Sequence, residues 1–207
     1  MRIKQKLGGC VVALLLLAGF ATHGGAQTAA TATLQAAAAR GLVDYQFEGT
    51  GSSSGDSVRV KVKRSPGAPD PYSVTIPPGT ILRSRGAGQS MVVSVVRGID
   101  MGGGFFRPTS RILLRGSSWV SAILSAFCAE FEKDNPSPST PFTLEQPDPT
   151  LACVLNRSRT LSVPAQQAAV WRVTDRLTFN DMREKFQVSP EEWNSAQAVV
   201  QLCGAAR

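Results

Sequence analysis

The stretch Ser57 to Arg64, SVRVKVKR, restricts the folds open to this chain more than any other. Val58, Val60 and Val62 alternate with Arg59, Lys61 and Lys63, so an extended strand sends the valines to one face and the cations to the other. A strand of this kind needs water on one side and an apolar layer on the other, as in an antiparallel sheet covered on a single face. The cations are expected to form that solvated face; a polyanion-binding stripe would interleave aromatics with them, and none is present.

Other runs carry the same character. VDYQFEG, YSVTIPPGTILRS and SMVVSVVRG read as strands, with the turn-rich SSSG, SPGAPDP and RGAG between runs. MGGGFFRPTSRILLRGSSW continues the β pattern, and Gly102 to Gly104 read as a turn, because they fit no phosphate-binding loop. WVSAILSAF, ahead of Cys128, suits a strand entering a turn, with a buried helical turn as the alternative. After Cys153 the pattern becomes helical. Ser162 or Val163 caps a helix with Pro164 in its first turn, Thr178 with Asp181 starts a second, and Ser189, Pro190 and Glu192 open a third that runs to Leu202 and turns Cys203 towards the core. The expected fold is α+β: a β-sandwich-like body, β-rich over 42–145, with a C-terminal helical portion over 160–207.

The start of the chain, MRIKQK followed by GGCVVALLLLAGFA, resembles a secretory signal peptide over 1–26. Residues 27–41, QTAATATLQAAAARG, are expected to be a low-complexity flexible leader or at most a frayed helix, and 42–207 a single secreted domain. Arg2, Lys4 and Lys6 would leave with the signal, so part of the formal charge of +7 belongs to it. No second run approaches the roughly 20 apolar residues of a membrane helix. The expected location is extracytoplasmic, with no integral membrane segment after cleavage and no nucleic-acid partner.

The one histidine, His23, lies within the signal segment. Ser-His-Asp and Cys-His catalysis and His-ligated zinc are thereby excluded from the mature chain. Cys128, Cys153 and Cys203 form no CxxC, so no metal and no cofactor are expected. Acidic residues are scattered without a readable pairing, which makes a carboxylate hydrolase a weak third reading.

PAQQAAVWRVTD, from Pro164 to Asp175, poses the sharper chemical question. At about 100° per residue, Gln167 falls inside the apolar face with Val163, Val170 and Trp171, while Gln166 lies on its margin. With Val163 as the cap, Gln166 could reach back to a backbone N–H. Gln167 has no such local partner, and a buried amide must be satisfied or consumed.

Gln167-Ala168-Ala169-Val170-Trp171 resembles the Q-x-A-(I/V)-W helix motif of bacterial thioester domains, surface adhesin modules with an internal Cys–Gln thioester. Phe127-Cys128-Ala129-Glu130 is similar to the aromatic-Cys-x-acid strand motif that supplies the cysteine of that family. The resemblance spans about residues 76–175, and Gln166 stands where the family often has threonine. It implies attack of Cys128 on the side-chain carbonyl of Gln167, loss of ammonia, and one-shot acylation of an amine or hydroxyl on a protein or glycan surface ligand, without turnover as an enzyme. Trp171 would help exclude water, and Glu130 and Asp175 would be candidate proton acceptors. Two pairings of the remaining thiols stay open. Cys153 with Cys203, the preferred one, leaves Cys128 free and closes a loop of about 50 residues, for which chain entropy gives on the order of 4 kcal/mol. Cys128 with Cys153 would abolish the thioester. The alternative function is a non-catalytic structural or interaction domain, in which Gln167 docks the helix on the sheet and Cys128 is a small core residue. The residues fix neither ligand nor oligomeric state.

Overall fold

The computed structural model describes residues 29–204. The expected signal segment, 1–26, lies outside them. The body is two sheets. Strands β2 (Val43–Gly49), β3 (Ser54–Arg64), β5 (Thr80–Ser84), β6 (Met91–Gly102), β7 (Phe105–Pro108), β9 (Val120–Cys128) and β10 (Phe142–Pro147) form the larger, in the order β10-β5-β6-β9-β3-β2 with β7 on β6. The smaller is β1 (Ala30–Thr33), β4 (Tyr72–Thr75) and β8 (Ile112–Leu114), ordered β1-β4-β8 with β1 parallel to β4. Five helices complete the α+β chain: α1 (Leu34–Ala39), α2 (Pro149–Arg157), α3 (Val163–Thr174), α4 (Phe179–Arg183) and α5 (Pro190–Leu202).

Strand β3 behaves as its alternation requires. Val58, Val60 and Val62 are fully buried, and the cations of this strand pair with acids of β2 and β6. Lys61 Nζ lies 2.6 Å from Glu48, Lys63 Nζ 3.2 Å from Asp44, and Arg59 Nε 2.7 Å from Asp100 of β6. The β2–β3 register opposes Asp44 to Lys63 and Glu48 to Arg59, which places the two β2 acids among the strand's cations.

Three expectations are corrected. Residues 30–39 are no flexible leader or frayed helix: Ala30–Thr33 pairs with β4, Thr33 caps α1, and Leu34 and Ala37 are buried in the core. Alanine-rich composition hid two things, a register with β4 and a single leucine that anchors the helix. YSVTIPPGTILRS is two strands in different sheets, because Pro77 and Pro78 offer no N–H to a ladder and Gly79 turns the chain at φ +83°. A Cβ at Gly79 would sit 2.7 Å from both Ala152 N and Asp148 O, so helix α2 also packs directly on that turn. Helix α2 lies mostly before the expected helical portion; Asp148 caps it, accepting from Leu151 N, and Pro149 opens it.

The C-terminal helices start where expected. Ser162 caps α3, and Thr178–Asp181 and Ser189–Glu192 each form a complete capping box. Cys153 of α2 is bonded to Cys203 at the end of α5, with the Cα atoms 5.8 Å apart. One apolar cluster, Val92, Phe127, Ala129, Leu151, Leu155 and Val170, joins β6 and β9 to α2 and α3. It holds the helices at the end of β9 where Cys128 lies. Among the described residues no helix is long and apolar enough to cross a membrane.

Candidate functional site

Strand β9 outruns its neighbour β3, whose first residue, Ser54, pairs with Phe127. Cys128 is therefore the last residue of β9 and lies beyond the β3 ladder, and helix α3 fills that position with a side chain. The amide of Gln167 accepts from Cys128 N at 3.0 Å through Oε1 and donates to Cys128 O at 2.8 Å through Nε2. Cys128 N–H is shared, donating also to Ser53 O at 3.0 Å. One side chain thus pairs with both backbone groups of one residue, as a neighbouring strand would. Gln167 and Cys128 are both fully buried.

The wheel placed Gln167 correctly on the buried side, with Val170 and Trp171 also buried, whereas Val163, in the first turn, is exposed. Gln166 Nε2 donates to Leu161 O at 2.9 Å instead of reaching back to a backbone N–H, so its role is local but different in kind. Gln167 is the glutamine that reaches another element.

Cys128 is the free cysteine among the described residues, and its Sγ lies 3.6 Å from Met91 Sδ, on the residue opposite it in β6. Burial, with a smaller push from the Glu130 charge, raises its thiol pKa to about 12. The sulfur is consequently a neutral thiol at physiological pH.

The other expected residues surround this pair. Trp171 stacks edge-on with Phe131 at 4.9 Å and Phe186 at 5.0 Å between ring centres, in the same apolar core as Cys128. Its buried Nε1 has no hydrogen-bond partner. Glu130 accepts from Ser90 N at 2.8 Å and from Lys133 Nζ at 2.6 Å. Burial pushes its carboxyl up, but the lysine and the Ser90 N–H outweigh that and hold it below the ordinary carboxylate range. Asp175 caps the end of α3 and takes the Thr174 hydroxyl at 2.8 Å. Asp175 is exposed overall, yet partial desolvation of its carboxyl keeps it above the ordinary value despite that bond, and the charges of Glu130 and Glu132 add to the rise. Two helical turns separate it from Gln167, roughly 12 Å along the axis at 1.5 Å per residue. Glu130 thus holds loop backbone beside the pair, and Asp175 stands off along the helix, so neither is the sulfur's hydrogen-bond partner.

Residue Gln89 was not singled out by pattern. It is buried, donates to Lys133 O at 2.8 Å and accepts from Glu130 N at 3.4 Å, bracing the loop after Cys128. An exposed-looking GAGQS context gave no sign of this, because its partners lie more than forty residues on. Among the described residues no cluster of three His, Cys, Asp or Glu could hold a metal ion. No protein-family model, curated protein or solved structure matches the chain.

Proposed function

We propose that the chain is an extracytoplasmic binding module of the thioester-domain kind, in which Cys128 and Gln167 are the reacting pair and a protein or glycan surface ligand is the target. The reading rests on one observation: the Gln167 amide is hydrogen-bonded to the backbone of the very cysteine that the two motifs pair with it. The same geometry suits the chemistry. In a strand the side chain leaves the plane in which N–H and C=O pair, so an amide held in that plane offers a face of its carbonyl carbon to the sulfur's side. Addition of Cys128 Sγ to Gln167 Cδ moves negative charge onto Oε1, where the Cys128 N–H already donates. The thiol proton passes to Nε2, the Cδ–Nε2 bond breaks, and the nitrogen leaves as ammonia with Sγ bonded to Cδ. An amine or hydroxyl of the ligand then displaces the sulfur, transfers its own proton to it, and remains acylated. Each molecule acts once, which makes it a covalent binder and not an enzyme.

A specific observation favours a second reading. The amide is fully paired and the thiol is neutral, so the pair also suits a non-covalent clamp in an interaction domain stabilised by the Cys153–Cys203 disulfide. Methylamine separates the two. The first reading expects folded protein to take up one methylamine at Gln167 and expose the Cys128 thiol, with no uptake in Cys128→Ala. No uptake in the parent chain, together with full alkylation of Cys128 on unfolding, would leave the clamp.

A further inference from the structure

At the opposite end of β9 an open groove of about 900 Å³ lies between β7, β8 and the start of β9. That volume falls within the ~300–1,000 Å³ of typical ligand sites. Three of its lining side chains are Arg107, Arg111 and Arg115, all exposed. None of them forms an ion pair with the described residues. The acid in the groove, Asp100, is held by Arg59 at 2.7 Å and by Gly102 N at 2.9 Å. The groove therefore presents unopposed guanidinium charge.

Its polar lining is unsatisfied as well. Ser73 is 1% exposed and Ser121 is partly buried, and the buried hydroxyl of each has no hydrogen-bond partner among the described residues. Buried hydroxyls are normally paired, so two orphans in one groove mark a place where a ligand's polar groups belong. Around them, Trp119 and Leu113 expose apolar surface, and Lys63 sits 4.9 Å over the Trp119 ring.

We propose that this groove binds an acidic oligosaccharide, a chain of sugars bearing carboxylates. Each part of that ligand has its counterpart. Planar carboxylates match guanidinium forks, sugar hydroxyls match the two serines, and the C–H faces of the rings match Trp119 and Leu113. A nucleic acid would want several stacking platforms, and the groove lining holds one aromatic ring among the described residues. Ser121 and Cys128 are seven residues apart on β9, roughly 23 Å at ~3.3 Å per residue, so this site is independent of the Cys128–Gln167 chemistry.

Calorimetric titration of the full chain with tri-galacturonate tests the proposal, using its methyl ester and a tri-glutamate peptide as controls. The acid form should bind and weaken with added salt, and the ester should bind at least about tenfold more weakly. Arg111→Gln and Arg115→Gln should each weaken the acid form about tenfold at unchanged melting temperature. Cys128→Ala should bind like the parent. No binding of the acid form, equal binding of the ester, equal or tighter binding of the peptide, or indifference to both arginine substitutions would overturn the proposal.

Discussion

At the Cys128 end of β9, a buried amide has both of its groups matched to the backbone of one residue, while at the Ser121 end two buried hydroxyls have no hydrogen-bond partner and three guanidinium groups no ion pair among the described residues. The first region spends its polar groups on holding helix α3 to the sheet; the second leaves them available. Buried, paired groups set stability and shield whatever reacts among them, whereas unpaired groups around an open groove contribute little to folding and are free to select a ligand. Substitutions should separate accordingly, with large losses of stability at one end and losses of binding alone at the other.

Trp171→Ala should give the largest effect. The ring bridges Phe131 and Phe186, and its removal should cost about 4 kcal/mol in denaturant unfolding. Phe at the same position should recover most of that, since Nε1 has no partner to lose. Gln167→Leu comes next. It fills most of the space but leaves the buried Cys128 carbonyl without its donor, at about 2 kcal/mol. Cys128 N–H keeps Ser53 O, which limits the loss.

A smaller effect, and of the opposite sign, is expected at Asp175. Its folded pKa lies above the ordinary value, so its contribution to stability is fully present below the unfolded pKa and is lost as pH rises through the folded one. Asp175→Asn should therefore raise the melting temperature near neutrality, and the gain should vanish at about pH 3, where both states are protonated. An unchanged difference across that range would contradict the burial argument. Least of all, Arg111→Gln should shift stability by less than about 0.5 kcal/mol, as expected of an exposed side chain without an ion pair. A large loss there would erase the contrast between the two ends.

Local chemistry shows plainly in the sequence wherever it decides the structure. Valine alternation fixed both faces of β3, and the Thr178 and Ser189 boxes fixed the starts of α4 and α5. The buried side of α3 was readable because an amide among apolar residues is conspicuous. Contacts between distant residues were not readable. Thr33 and Leu34 look like low-complexity chain until β4 supplies a partner, and the role of Gln89 depends on Lys133. The groove was hidden for the same reason: Ser73, Ser121 and Arg111 lie on three different strands or their connections, and no spacing links them. Asp148-Pro149 did carry a start signal for α2, but it stood in a proline-rich stretch that looked like loop throughout.

The intact mass of the disulfide-reduced protein tests the central proposal most directly. A Cys128–Gln167 thioester makes the chain lighter than its sequence by one ammonia, and Cys128→Ala restores the mass expected for that variant. A parent chain at full sequence mass, with Cys128 alkylated completely once the protein is unfolded, would contradict the covalent account.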